Sequence, residues 1–126
     1  MTYKSNQKGF SLIEVLVSLA ILGVLTAVAI PAYNGYITTA KMAEAENNLA
    51  AIRLAEEEFF LENNRYFDGA DVAEIQSNSG NLWTVTKGKD GYNFDYEVTL
   101  SGGWSAKATG KVGTKVAGLI RNASKN

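Results

Sequence analysis

The sequence contains no cysteine and no histidine, and it has one proline among its 126 residues. Without cysteine the protein has neither disulfides nor thiolate metal sites, and without histidine it lacks the commonest general base and the commonest metal ligand. Serine, aspartate and lysine are present but occur in no recognisable nucleophile motif. The sequence therefore predicts that the protein is not an enzyme and that it holds no metal or cofactor.

The sequence also lacks a clear excess of either charge. Twelve basic residues balance thirteen acidic residues, so the net charge is −1. A protein dedicated to polyanions would carry a strong basic excess. Composition therefore argues against nucleic acid as the main partner, while leaving a weak contact open.

Charged residues are nearly absent from one long segment near the start. Glu14 is the single charge between Lys8 and Lys41. A helix over residues 10–30 would be roughly 30 Å long, which matches the hydrocarbon core of a bilayer. Because Lys4 and Lys8 precede this segment, the positive-inside rule would keep residues 1–9 in the cytoplasm. We therefore predict one membrane span at 10–32, with the C-terminus outside the cytoplasm.

Two simpler interpretations of this segment are a cleaved secretory signal peptide and a plain signal anchor. The Ala-Val-Ala sequence at 27–29 offers a signal-peptidase site, but the long apolar run and the early carboxylate argue against it. A plain anchor gives no reason for Glu14. A charge within a spanning helix costs about 2.5 to 3.5 kcal/mol and by default marks a functional site with a partner.

A cation for Glu14 could come from the chain terminus itself. Cleavage between Gly9 and Phe10 would expose a positive amine on Phe10, four positions before the carboxylate. In a bundle of parallel, staggered helices, the amine of one subunit could neutralise Glu14 of its neighbour. Methylation of the amine would keep its charge.

The segment KGFSLIEV at residues 8–15, followed by the apolar run, resembles the class III signal of type IV pilins and related pseudopilins. The resemblance implies cleavage after Gly9 by a prepilin peptidase, N-methylation of Phe10 and registration of filament subunits by Glu14. It also implies an inner-membrane protein that an assembly platform builds, with copies of itself and related pilins, into an extracellular filament. The short leader (1–9) and the Phe start are similar to the type IVa subclass.

Gly23 and Pro31 interrupt the apolar helix. Gly costs about 1 kcal/mol relative to Ala within a helix, and Pro removes a backbone donor and crowds the carbonyl of Ala27. A local kink or melting is expected. Membrane helices ordinarily tolerate such residues, whereas the resemblance implies that the helix unravels between them in the filament.

From residue 33 to 62 the spacing predicts an amphipathic helix that ends near Asn63-Asn64. Its buried stripe is predicted to contain Met42, Ala45, Leu49, Ile52, Glu56 and Phe59. The run Glu56-Glu57-Glu58 is interpreted as a solvated acidic face. The alternative is that these carboxylates pair with basic residues of adjacent subunits.

For the remainder of the chain, the sequence pattern predicts a loop over 63–81 and an antiparallel sheet over 82–121. Together with the amphipathic helix, these segments form a globular region, 33–126. The alternation at Tyr92–Leu100 indicates a strand with one buried face, flanked by strands at Leu82–Thr86 and Trp104–Val112. A fourth strand is expected around 116–121. The fold class is α+β, with a long N-terminal helix packed on a meander of three or four strands. The aromatic residues predicted in its core are Tyr92, Phe94, Tyr96 and Trp104.

Lys107, Lys111 and Lys115 recur every four residues near the end of the chain. We interpret them as solvent-facing side chains that protect a sheet edge. The alternative is a weak DNA-contacting patch in a competence pilus.

The leading functional hypothesis is a structural pilus subunit that serves adhesion, twitching motility or DNA uptake. Minor or priming pilins share the same features. A pseudopilin of a type II secretion system also shares this N-terminus, but major pseudopilins resemble one another in a calcium site built from clustered C-terminal carboxylates. After Asp90 this chain has only Asp95 and Glu97, which lowers that alternative.

Overall fold

The computed structural model describes residues 9–86 and 93–125. Its elements, in chain order, are α1 (Leu12–Asn63), α2 (Val72–Asn78), β1 (Phe94–Leu100), β2 (Trp104–Gly110) and β3 (Ile120–Lys125). The chain divides into two compact units, Met1–Tyr36 and Ile37–Asn126. The predicted α+β class, with a long N-terminal helix and an antiparallel sheet, is confirmed.

The described part of the first unit consists mainly of α1. The helix continues through Gly23 and Pro31, and every side chain from residue 9 to 36 is exposed. Within the described residues, α1 is the one helix long and apolar enough to cross a membrane, and none of its apolar window is buried. This surface needs lipid or other helices to cover it.

In the second unit, α1 buries the predicted stripe. All six predicted members are buried, together with two that were not predicted, Asn48 and Ala55. The helix ends where the paired asparagines suggested. Asn64 has a left-handed φ of 52°, and its N–H donates to the carbonyl of Phe60 at 2.8 Å, as is common one residue beyond a helix.

The prediction of a continuous loop over 63–81 is wrong, because this segment contains α2. Asp71 caps α2 by accepting the N–H of Glu74 at 2.9 Å, and Glu74 accepts the N–H of Ala70 at 2.9 Å. Ile75 is fully buried and anchors the helix to the core. The spacing Asp71-x-x-Glu74 was the available signal, since an acidic residue three positions after a capping residue is typical of helix starts.

The predicted strand at Leu82–Thr86 is also wrong, and the structure gives a physical reason. The buried side chain of Asn48 accepts the N–H of Thr86 at 2.9 Å and donates to its carbonyl at 3.3 Å. The indole of Trp83 donates to the backbone carbonyl of Asn48 at 3.3 Å. The segment is thus held by α1 and not by a neighbouring strand. Residues 87–91, between this segment and the next predicted strand, lie outside the described residues.

The sheet is an antiparallel meander in the order β1-β2-β3. Its register places Lys107 opposite Glu97 on one side and opposite Asn122 on the other. On the edge of β1 that faces away from β2, Gly69 exchanges two backbone hydrogen bonds with Val98, at 3.1 and 2.8 Å. Among the described residues the sheet therefore has three strands, and Gly69 bridges the outer edge of β1 at Val98.

The last strand begins later than predicted. β2 ends at Gly110 instead of Val112, and β3 begins at Ile120, whereas the sequence suggested a strand from 116. Successive turns fill the gap, and Val116 is buried within them. A Cβ on Gly110 would overlap the carbonyl oxygen of Val116, so the chain can fold back here only because residue 110 lacks a side chain.

The core of the second unit lies between α1 and one face of the sheet. The predicted core residues Phe94, Tyr96 and Trp104 are buried, while Tyr92 lies outside the described residues. Leu100, on the same predicted face, is 46% exposed at the strand end. The core also contains several residues that no periodicity indicated, Phe67, Ile75, Trp83 and Val116.

Candidate functional site

The start of α1 is closed by a reciprocal pair of hydrogen bonds between Ser11 and Glu14. The N–H of Ser11 donates to Glu14 Oε2 at 2.8 Å, and the N–H of Glu14 donates to Ser11 Oγ at 3.3 Å. This capping box satisfies two donors that a helix start leaves without partners. This local role of Glu14 was not predicted, although the Ser-x-x-Glu spacing is its signal.

The capping box leaves the charge of Glu14 available. Glu14 makes no ion pair within the described part of the chain, and its second carboxylate oxygen takes no part in the box. Phe10 is 86% exposed, and Gly9 is exposed as well. The carboxylate can therefore accept a cation from another molecule without giving up the cap.

Two hydroxyl groups in the apolar run are satisfied within the helix. Ser18 Oγ donates to the carbonyl of Glu14 at 2.7 Å, and Thr26 Oγ1 donates to the carbonyl of Leu22 at 2.7 Å. Such back-bonding lets hydroxyl side chains lie in an apolar environment. At Gly23 no atom lies within 4 Å of the position where a Cβ would be, so its surroundings would accept a closely approaching helix.

Several basic residues of the second unit form ion pairs with carboxylates. Lys107 pairs with Glu97 at 2.6 Å, and Lys111 pairs with Asp95 at 3.4 Å. These pairs involve the two carboxylates that a C-terminal calcium site would have needed. The described residues contain no cluster of three or more groups that could hold a metal ion.

Two further pairs connect α1 with β3. Arg121 contacts Glu46 at 3.2 Å, and Lys125 contacts Glu57 at 2.7 Å. Glu57 therefore has a partner within its own chain. Glu58 remains exposed, as predicted for the acidic face.

Glu56 is an exception to the predicted acidic face, because it is fully buried. One carboxylate oxygen accepts the N–H of Phe67 at 3.1 Å, and the other has no hydrogen-bond partner in the described part of the chain. Burial raises the pKa of Glu56 to about 7; the Phe67 hydrogen bond opposes this rise, and the charges of Asp68 and Glu57 add to it. The interpretation of Glu56 as solvated is wrong, because the helical stripe places it inside the core.

Comparison with known proteins agrees with this geometry. Residues 4–30 match the family model described as the prokaryotic N-terminal methylation motif. Residues 31–117 match the family model described as type IV minor pilin ComP, DNA uptake sequence receptor. No solved structure matches the chain significantly.

The similar curated proteins are pilins and fimbrial proteins. Fimbrial protein Q of Moraxella bovis is 35% identical over 120 residues, which cover 95% of this chain and 73% of the relative. The type IV major pilin protein PilA of Myxococcus xanthus is 37% identical over 81 residues, or 64% of this chain and 37% of that protein.

The type IV major fimbrial protein FimA of Dichelobacter nodosus is 33% identical over 113 residues, covering 90% of this chain and 63% of the relative. The chain thus spans less than two thirds of the length of some of these relatives. The N-terminal motif, the α+β fold and these similarities agree with one another. The chain belongs to the type IV pilin family.

Proposed function

We propose that this chain is a type IV pilus subunit that is cleaved after Gly9, methylated on Phe10 and registered in the filament by Glu14. The observation that carries the proposal is the capping box at the start of α1, which leaves the second carboxylate oxygen of Glu14 available. In an apolar bundle this carboxylate needs a cation, and the new amine of a neighbouring copy supplies one. The work of such a subunit is association and not catalysis.

The proposed division of the chain follows from this mechanism. Residues 1–9 form a leader removed by a prepilin peptidase, 10–32 form the membrane and polymerisation segment, and 33–126 form the head. Before assembly the protein crosses the inner membrane once with its head outside the cytoplasm; afterwards it lies in a surface filament. Partners are copies of itself, related pilins, the peptidase with its methyltransferase and the assembly platform. Gly23 and Pro31 allow α1 to unwind locally in the filament.

Glu14→Gln is the decisive variant. Gln at this position keeps the capping box, because an amide oxygen can replace the carboxylate oxygen, but it removes the charge. We expect normal cleavage and at least tenfold less protein in sheared filaments, measured by immunoblot of the sheared and membrane fractions. Ser11→Ala is the matched control, since it weakens the cap and leaves the charge in place.

The two variants separate registration from helix capping. The proposed role predicts that Ser11→Ala assembles like the wild type. Wild-type filament yield for Glu14→Gln, or equal losses for both variants, would contradict the registration role.

DNA contact is a second candidate function, because the family model matched by residues 31–117 describes a DNA uptake sequence receptor. The lysines available for phosphate contact, Lys107 and Lys111, are paired with Glu97 and Asp95. Phosphate would have to compete with these carboxylates. Weak binding with a strong salt dependence is expected from such a surface.

Neutralising either member of these pairs tests the DNA contact. Replacing both lysines with Ala should weaken binding to a DNA duplex and reduce its salt dependence, while Glu97→Gln with Asp95→Asn should strengthen binding. Fluorescence anisotropy of the purified full chain in detergent micelles gives both quantities. If all three proteins bind equally, these lysines do not contact DNA.

A pseudopilin of a type II secretion system would use the same N-terminal chemistry. The named relatives are pilins and fimbrial proteins, which supports the pilus. Whether the subunit is major or minor would follow from its abundance in purified filaments.

A further inference from the structure

The two outer edges of the sheet differ. The edge of β1 is bridged by Gly69, which exchanges two backbone hydrogen bonds with Val98. β3 pairs only with β2, and no other described segment pairs with it. An edge strand with unpaired backbone groups can accept another strand.

The register shows which backbone groups of β3 point outward. The N–H of Gly110 donates to the carbonyl of Leu119 at 2.8 Å. Directly opposite residues of two antiparallel strands alternate between hydrogen-bonded and non-hydrogen-bonded pairs. Since Gly110 and Leu119 are hydrogen-bonded, Ala108 and Arg121, two positions further along the register, are hydrogen-bonded as well. The backbone groups of Ile120, Asn122 and Ser124 therefore point away from β2.

Two side-chain contacts agree with this assignment. The Arg53 guanidinium donates to the carbonyl of Ser124 at 3.5 Å, and the Arg121 guanidinium donates to the carbonyl of Ile120 at 3.5 Å. Both distances lie beyond the usual range for N–H to O bonds. The outward carbonyls are thus only weakly satisfied.

A groove of about 350 Å³ runs between this edge and α1. Ala50 and Ala123 are among its small apolar lining residues, and Arg53, Arg121 and Glu46 supply its charges. Arg121 is paired with Glu46, whereas Arg53 makes no ion pair with any described carboxylate. The groove therefore has one uncompensated positive charge above a narrow apolar floor.

We propose that the groove between α1 and β3 binds an extended segment of another polypeptide, which adds a strand to β3 and places an acidic side chain against Arg53. Strand addition supplies N–H donors for the outward carbonyls of Ile120 and Ser124. Side chains that face α1 alternate along the added strand, so a small residue lies against Ala50 and Ala123, and an acidic residue two positions away meets Arg53.

The same features disfavour nucleic acid at this groove. The outward carbonyls of Ile120 and Ser124 are acceptors and would repel phosphate oxygens, and Glu46 adds a negative charge. A polypeptide strand offers donors at this edge, which a phosphate backbone does not. The proposal is independent of filament assembly, because it involves neither Phe10 nor Glu14.

A labelled peptide can test the proposal on the full chain in detergent micelles. The probe is a seven-residue peptide with Ala and Glu on one face and Thr on the other; a matched peptide carries Lys in place of Glu. Fluorescence anisotropy should show saturable binding of the Glu peptide and at least tenfold weaker binding of the Lys peptide. Bound peptide should also slow amide hydrogen exchange at Asn122 and Ser124, which a contact through side chains alone would not do.

Three variants identify the site. Arg53→Glu should weaken binding of the Glu peptide at least tenfold, and Asn122→Pro should abolish it, because proline cannot donate from the strand edge. Arg65→Glu is the control with the same charge change, because Arg65 is exposed and does not line the groove; it should leave binding unchanged. If Asn122→Pro does not fold by circular dichroism, Arg53→Glu still decides the outcome.

Several results would overturn the proposal. They are the absence of saturable binding of the Glu peptide, equal binding of the Lys peptide, and no effect of Arg53→Glu. A DNA duplex that binds in an Arg53-dependent manner where the peptide does not would make this groove a nucleic-acid contact instead.

Discussion

Glu56 is the buried side chain whose pKa matters most for stability near neutral pH. It is fully buried, with one oxygen bonded to the N–H of Phe67 and the other without a partner among the described residues. A buried carboxylate is stable in its protonated form and costly in its charged form. Its hydrogen bond holds the segment after α1 against the helix, so its ionisation bears on the stability of the second unit.

Stability should fall as the pH rises from about 5 to 8. The pKa of Glu56 is raised from 4.5 to about 7 in the folded protein, so the folded state holds this proton more tightly than the unfolded chain. The stability it contributes is fully present below the unfolded value and is lost as the pH rises through the folded value. The loss is on the order of 2 to 3 kcal/mol at most, and the melting temperature by circular dichroism should fall by several degrees.

Glu56→Gln provides the matched comparison. It keeps an oxygen for the Phe67 N–H and cannot ionise, so its melting temperature should change little between pH 5 and 8. The chain has no histidine, which leaves few other groups that titrate in this range. A wild-type melting temperature that is the same at both pH values would show that Glu56 ionises normally.

Among the secondary-structure elements, α1 organises the second unit through a polar residue in its buried stripe. Asn48 holds the backbone of Thr86 and donates to the hydroxyl of Tyr96 at 2.9 Å. It thereby connects α1 both to an irregular segment and to β1. Such a fully used buried amide specifies one arrangement of its neighbours.

Asn48→Ala should destabilise the protein by about 2 to 3 kcal/mol, because it leaves the N–H of Thr86 without a partner and opens a small cavity. Chemical denaturation followed by circular dichroism measures this change. Asn47→Ala is the control, since Asn47 is exposed on the same helix and should change stability by less than about 0.5 kcal/mol. Equal effects of the two variants would contradict the role of Asn48.

The prediction of elements from sequence was correct where a long periodic pattern existed. The 52-residue helix α1 and the alternating strand β1 were both predicted, because a long apolar run, steps of three and four residues in the helix and alternation in the strand persist over many positions. The prediction of a loop where α2 lies and the prediction of a strand at 82–86 were wrong. In each case a few side chains, such as Asp71 capping α2 and Asn48 holding Thr86, outweigh the local pattern.

For the whole molecule, processing is the property that most directly tests the proposed function. Protein from sheared filaments should begin at Phe10 and carry one additional methyl group, as measured by intact mass and N-terminal sequencing. Membrane-bound protein from cells without prepilin peptidase should retain residues 1–9. Filament protein that still carries the leader, or that starts beyond the apolar run, would contradict the assembly mechanism.

For the whole molecule, the fold also shows which charges are paired and where the unpaired ones lie. The four ion pairs of the described second unit contribute nothing to the net charge of −1, because each joins one positive and one negative group. Two of these pairs hold β3 against α1. The groove between them retains the charge of Arg53, and this local excess cannot be read from composition.

What the amino-acid sequence determined by itself is the N-terminal motif and the family. The motif, its single carboxylate and the apolar run involve residues that are close along the chain, so their spacing is sufficient to identify them.

The tertiary structure decided the rest. It buried Glu56, paired Lys107 and Lys111 with carboxylates, and left the outer edge of β3 without a paired strand among the described residues. The contacts of Asn48 with Thr86 and of Arg121 with Glu46 join residues 38 and 75 positions apart. Such pairs depend on how α1 and the sheet pack, and no local pattern in the sequence contains that information.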